Sequence, residues 1–330
     1  MGHGLLGLGG HVPLRVIDNA QVAQWTGAEE SWIVERTGIL ERRYREPGTA
    51  TSDLALHAAR EALRAVPEAA ARLGVMVVAT STPDQPQPST GAILQNKLSL
   101  SEVPAFDVNA VCSGFLYALA VADSMLSARL AGQGGDHALV VGADMYSSLM
   151  NRTDRRTVSL FGDGAGAVLL GPVPDGYGVL GWRLVAHGEH RELVEVPAGG
   201  TRTPLDARSL EAGEHLFRMR GREVREYALG VLPKVIGEAL DSAGVRLEDV
   251  NRFILHQANT RLVEACTREL GVDPERVPLT APQFGNTATA SIPLTLCAEN
   301  ERRPFRRGEH LVLAGVGGGM TAGAVVVRWH

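Results

Sequence analysis

A layered α/β fold produced by duplication is what the 330-residue sequence predicts. Three observations carry this. The order of elements in the first half recurs in the second, the strands of both halves are apolar without alternation, and each half ends in a glycine-rich turn followed by a strand. A strand with one wet face alternates apolar and polar residues, whereas a strand buried on both faces reads as a continuous apolar run. Mixed sheets covered by helices on both sides follow.

In the first half a helical stretch over about 52–65 leads through a linker to the apolar run 74–80, Gly-Val-Met-Val-Val-Ala-Thr. In the second, a helix over 227–243 leads through 244–250 to the strand 252–256. The strand and helix around Cys112 correspond to the stretch 277–296, whose Gly285-Asn286-Thr287 forms the equivalent corner and sets Asn286 against Cys112. Residues 137–143 then match 310–316, and 164–170 match 321–327. The boundary falls near 171–178, giving halves 1–174 and 175–330.

Composition narrows the function. A net charge of -5 gives no bulk attraction to nucleic acid or to an anionic membrane. Cys112, Cys266 and Cys297 form neither a CxxC pair nor an even disulfide framework, which fits a reducing cytoplasm and suggests no zinc site. Residues 1–7 lack the basic start and long apolar core of a signal peptide, and no apolar run approaches a membrane span, so a soluble cytoplasmic protein is expected. The glycines at 7, 9 and 10 and at 162, 164 and 166 superficially resemble dinucleotide loops. Neither set opens a helix with an acidic residue at the right distance, so no nicotinamide cofactor is expected. The run 302–307, rich in arginine, reads as a solvated helix end and loop.

Four positions carry chemistry. Cys112 lies where a strand breaks at a small-residue corner and a helix begins; the helix N-terminus favours thiolate and predicts attack near neutral pH. His256 ends a strand, Asn286 occupies a Gly-Asn-Thr corner, and Gly318 lies in a bare turn able to offer backbone N–H groups to a ligand. Singly, each has a plain reading as a buried cysteine, a satisfied histidine, a turn asparagine or a tight turn. Together, all fall at strand ends of one duplicated fold.

The motifs Asn109-Ala110-Val111-Cys112-Ser113-Gly114-Phe115, His256-Gln257-Ala258-Asn259, Gly285-Asn286-Thr287 and Gly317-Gly318-Gly319 resemble those of the β-ketoacyl-acyl carrier protein synthase III family. So do Trp32, Glu35-Arg36-Thr37-Gly38, Thr153-Asp154-Arg155 and the run 161–167, and the resemblance spans the whole chain. It implies a thiolase fold, with two duplicated βαβαβαββ halves layered as αβαβα, a homodimer, and a two-stage reaction without a cofactor. Cys112 would take an acyl group from acyl-CoA, with the oxyanion held by the N–H groups of Cys112 and Gly318. His256 and Asn286 would then stabilise the enolate formed when a malonyl thioester on acyl carrier protein loses CO2. Trp32 and Arg155 would sandwich the adenine of CoA and Arg36 would meet its phosphates. Arg261 and Arg225 would face the acidic carrier protein, although Glu226 stands where the family commonly has a basic residue.

Two further departures bear on the substrate. Gln87 stands where fatty-acid initiators often have a Phe that reaches across the dimer to the partner's acyl pocket, and Arg156 stands where Gly is common. They suggest a specialised member that primes polyketide or other secondary metabolism with a polar, branched or longer starter. Three alternatives stay open at this level: an acyltransferase passing the acyl group from Cys112 to a hydroxyl, amine or thiol without decarboxylation, a cysteine hydrolase, and a noncatalytic partner subunit.

Overall fold

Two mixed sheets with helices between and outside them form five layers. The computed structural model describes residues 2–330. Strand β1 (Gly2–His11) is followed by a hairpin pair, β2 (Arg15–Asp18) and β3 (Glu41–Tyr44), that brackets α1 (Asn19–Thr26) and α2 (Glu30–Thr37). Then come α3 (Thr51–Arg64), β4 (Leu73–Ala79), α4 (Thr90–Lys97), β5 (Ala105–Val108), α5 (Gly114–Ser127), β6 (His137–Met145), α6 (Arg155–Val158) and β7 (Asp163–Val173). After β8 (Gly178–Ala186), an excursion carries β9 (Val194–Glu195), α7 (Ala207–Glu211) and β10 (Arg218–Met219). The chain closes with α8 (Gly221–Ala243), β11 (Val250–Leu255), α9 (Thr260–Leu270), α10 (Ala281–Phe284), α11 (Ser291–Arg302), β12 (His310–Gly317) and β13 (Thr321–Arg328).

The first sheet runs β1-β7-β6-β4-β5 and the second β8-β13-β12-β11, so β1, β4, β6 and β7 correspond in order to β8, β11, β12 and β13. Helices α5 and α11 fill the layer between the sheets, α3 and α4 cover one outer face, and α8 and α9 cover the other. Every residue of β4 and β6 is buried. Along β4, Val75, Val77 and Ala79 pack with Phe115, Leu116 and Leu119 of α5, while Met76 and Val78 pack with Leu54, Ala55 and Ala58 of α3. Each large side chain buried this way stabilises the fold by about 1.5–3 kcal/mol. The alanine face of α3 brings its backbone against β1: a Cβ on Gly7 or Gly9 would lie 2.1 Å or 2.0 Å from a helix carbonyl oxygen. Close packing therefore accounts for the first glycine cluster.

The second sheet is one strand short of the first. The stretch expected to mirror β5 contains Pro278 and Pro282, neither of which can donate a ladder hydrogen bond. The fully buried amide of Gln257 ties this segment instead. Its Nε2 donates to the carbonyls of Leu255 and Pro278, and its Oε1 accepts from the N–H groups of Thr280 and Ala281. One side chain thus replaces a short ladder. Helix α8 also begins earlier than periodicity suggests, at Gly221.

Candidate active site

The corner at Cys112 is made by one unusual residue. Val111 has φ 48°, the left-handed region that a β-branched side chain disfavours at a cost of about 1–3 kcal/mol. The 3-10 turn Val111–Ser113 follows and runs into α5. In the second half Ala288 has φ 49°, and the turn Ala288–Ala290 runs into α11 in the same way. Asn109 Oδ1 accepts from Val111 N–H at 3.2 Å, and Asn286 Oδ1 accepts from Ala288 N–H at 2.9 Å. Asn286 is therefore the counterpart of Asn109, and Cys112 is the counterpart of Thr289. This corrects the match of Asn286 to Cys112, because the left-handed residue that sets the register has no sequence signature.

Why the two corners differ is explained by the strands behind them. Asp144 pairs with Gly164 across β6 and β7 where Gly317 pairs with Thr321 across β12 and β13. The buried Asp144 carboxylate accepts from the N–H and hydroxyl of Thr289, from those of Ser81 and Thr82, and from the Thr80 hydroxyl. The N–H at the start of α11 is thus filled by the protein's own anion. At the other corner Gly317 has no side chain, and a Cβ there would lie 2.9 Å from Cys112 N and 2.4 Å from the Ala110 carbonyl oxygen. The start of α5 is left open to a ligand. Sequence reasoning singled out Gly318; Gly317 is the more tightly constrained of the two, since a Cβ on Gly318 would approach only Val194 and Val111 side chains, at 3.1 Å and 3.2 Å.

Cys112, His256, Asn286, Gly317 and Gly318 line one cavity of about 60 Å3, walled by Phe161 and Phe217. Asn286 is positioned by a pair of backbone bonds, its N–H to the Leu160 carbonyl and its carbonyl from Gly162 N–H. Gly162 and Gly285 make this approach feasible, since a Cβ on either would strike a carbonyl oxygen of the other strand at 2.2 Å or 2.6 Å. With Oδ1 occupied by Ala288, the Asn286 amide NH2 is left for the cavity. His256 Nδ1 lies 2.6 Å from Ser291 Oγ, which also accepts from Gln257 N–H, so Nε2 is the ring nitrogen left free. Ser291 was not anticipated; its place at the start of α11, opposite a strand-end histidine, was the available signal.

Burial pushes the His256 pKa down to about 4, which keeps the imidazole neutral at pH 7. Burial also pushes the Cys112 thiol well up; the Asp144 charge adds to this, and the cysteine's own N–H opposes it. Burial thus works against the thiolate that the helix start is expected to favour.

A larger cleft, about 750 Å3, is lined by Trp32, Arg36, Arg155, Arg156, Arg220 and Arg222 among others. The Arg155 guanidinium lies 4.7 Å from the centre of the Trp32 ring, so the expected sandwich pair already stacks on itself. Met219 lines both cleft and cavity. Arg220, the residue before α8, and Arg222, in its first turn, were missed because neither belongs to a recognisable motif. Arg261 is not free: its guanidinium donates to the Val34 and Glu35 carbonyls at the end of α2 and to Glu264. Arg225 is exposed, and Glu226 pairs with Arg222 at 3.0 Å. Gln87 is exposed and does not line the cavity of its own chain. In the arginine run, Arg302 and Arg303 join Arg252 around the buried Glu299 carboxylate, so this part is a charge cluster and not merely solvated.

The family model for 3-oxoacyl-[acyl-carrier-protein] synthase III matches residues 106–188, and the model for its C-terminal part matches 240–329. An acetoacetyl CoA synthase of a Streptomyces species is 44% identical over 327 residues, covering 98% of each chain. The crystal structure of 3-oxoacyl-(acyl carrier protein) synthase III from Pseudomonas aeruginosa aligns with TM-score 0.90 and 35% identity, covering 100% of this chain and 98% of that one. A priming β-ketosynthase of a polyketide biosynthetic pathway aligns with TM-score 0.90 and 28% identity, covering 99% and 96%. The chain belongs to the 3-oxoacyl-[acyl-carrier-protein] synthase III family, and is a condensing acyltransferase of thiolase fold.

Proposed function

We propose that Cys112 carries the acyl group, that His256 and Asn286 stabilise the enolate, and that the N–H groups of Cys112 and Gly318 hold the oxyanion. The observation carrying this is the shared cavity, in which a thiol, an imidazole Nε2 and an amide NH2 are the groups left without internal partners. In the first stage Cys112 Sγ attacks the thioester carbonyl of an acyl-CoA held against Trp32, Arg36 and Arg155. The thiol proton passes to neutral His256 Nε2 and leaves with the departing CoA thiol. Between the stages the neutral ring exchanges its proton with solvent, losing it from Nδ1 and gaining one at Nε2, and Ser291 Oγ can pair with Nδ1 in either tautomer, accepting from it or donating to it. In the second stage the malonyl C–CO2 bond breaks, and Nε2–H and Nδ2–H meet the enolate oxygen. The carbanion then forms a C–C bond to the acyl carbonyl, the acyl C–Sγ bond breaks, and the departing Cys112 thiolate takes a proton from solvent to become the thiol again. The chain would work as a cytoplasmic homodimer with no resident cofactor, supplying a starter to secondary metabolism.

The acceptor has two readings. Arg225 and Arg261 would dock malonyl carrier protein. A CoA-borne malonyl group is favoured by the ion pairs Arg222–Glu226 and Arg261–Glu264, which neutralise that face while arginines crowd the cleft. The similar Streptomyces protein is named for a CoA product. Turnover with malonyl-CoA against malonyl carrier protein separates the two: a higher kcat/KM for the carrier form retains docking, and a higher one for the CoA form rejects it. Ester or amide products without CO2 release would reject condensation itself in favour of simple acyl transfer.

A further inference from the structure

Three consecutive glycines, Gly317-Gly318-Gly319, carry the turn beside Cys112, and such a stretch does little to fix its own backbone. Side chains from elsewhere fix it. The Met320 carbonyl accepts from the Tyr227 hydroxyl at 2.6 Å and from His187 N–H at 3.1 Å, which holds the end of the turn. Closer to the thiol, Thr321 Oγ1 lies 3.2 Å from the Gly318 carbonyl oxygen, 3.1 Å from that of Ala110 and 2.8 Å from Ser113 Oγ. Ser113 Oγ itself lies 2.9 Å from the Ala110 carbonyl oxygen.

These two hydroxyls join residues 208 positions apart. Ser113 is fully buried and follows Cys112 within the 3-10 turn that presents the Cys112 N–H. Thr321 sits opposite Gly317 across β12 and β13. The pair therefore clips the nucleophile's corner, in the first half of the chain, to the glycine turn in the second. An oxyanion hole needs such a clip, because its donors act only when held within hydrogen-bond distance of the developing charge. A displacement of about 1 Å can cost about a hundredfold in rate.

We propose that Thr321 is a positioning residue: with Ser113 it sets the spacing between the N–H groups of Cys112 and Gly318. Neither hydroxyl residue lines the cavity, so both act through the backbone and not on the substrate. This rests on the reading of Cys112 as the acyl acceptor and of those two N–H groups as the oxyanion's donors. Loss of the Thr321 hydroxyl takes a donor from the Gly318 carbonyl and loosens the turn, while the arginine cleft that would hold CoA is lined by other residues.

Single-turnover acylation of the full chain by acetyl-CoA, read by intact mass over a concentration series, tests the proposal. Alkylation of Cys112 by iodoacetamide at alkaline pH, read by peptide mass, is the comparison, since it forms no oxyanion. Thr321→Val should lower the limiting acylation rate at least tenfold, while the half-saturating acetyl-CoA concentration stays within twofold and alkylation within threefold of wild type. Thr321→Ser, which keeps the hydroxyl, should acylate within threefold of wild type. The double variant Ser113→Ala with Thr321→Val should be no more than threefold slower than Thr321→Val, because both changes break one link. Thr321→Ala reads the same losses should the valine variant not fold. Acylation by Thr321→Val within twofold of wild type would overturn the proposal, as would equal losses of acylation and alkylation. If Gly317→Ala is slow in that case, the open corner stands and the clip alone is rejected. An acyl adduct that persists in Cys112→Ala is a different failure, since it overturns the assignment on which the proposal rests.

Discussion

His256 ends β11 with one ring nitrogen against Ser291 and the other open to the cavity, and its protonation state follows from burial. The folded pKa of about 4 lies below the ordinary 6.5, so the folded protein binds fewer protons than the unfolded chain. Stability from this group is complete above pH 6.5 and is lost as pH falls through about 4, a total on the order of 3 kcal/mol. Between pH 7 and 4.5, chemical denaturation should cost wild type about 2 kcal/mol more than it costs His256→Asn. Likewise, condensation should show no acid limb near pH 6.5; a limb there would mean that the imidazole titrates normally. The thiol makes a matching prediction. Because burial and Asp144 both oppose the thiolate, alkylation of free enzyme by iodoacetamide should accelerate only above pH 9, and a midpoint below 8 would contradict the desolvated thiol.

At the scale of elements, two helix starts of the same shape have opposite occupants. Asp144 fills the one at α11, and the absent side chain of Gly317 opens the one at α5. Gly317→Ala should therefore slow acylation at least tenfold without weakening CoA binding in the arginine cleft, and a rate within twofold of wild type would refute the open corner. Asp144→Ala should act on folding: it strands buried N–H and hydroxyl donors of Ser81, Thr82 and Thr289, and thermal denaturation should report a loss of about 3 kcal/mol or more. The apolar strands and the layered α/β architecture were legible in the sequence, because burial on both faces leaves a continuous apolar run. The register of the second corner was not, since it depends on a left-handed Ala288, nor was the lost edge strand, whose work the Gln257 amide does from another segment.

Across the whole molecule, duplication supplies two similar corners whose surroundings have diverged, and the proposed reaction gives them different work, acyl capture at one and enolate stabilisation at the other. Cys112, His256, Asn286 and Gly318, which line one cavity, were readable because each sits in a short local motif. Arg261 was not readable in the same way: its partners, the last carbonyls of α2, are far away in sequence, and only folding shows that it braces the helix carrying Trp32 and Arg36. The most direct test of the division of labour takes Cys112→Ala and Asn286→Ala through both stages, with intact mass after acetyl-CoA and CO2 release with product mass after a malonyl thioester. The account predicts no acyl adduct in Cys112→Ala, and in Asn286→Ala a normal adduct with condensation reduced at least a hundredfold. Condensation near the wild-type rate in Asn286→Ala, or an acyl adduct that persists in Cys112→Ala, would contradict it.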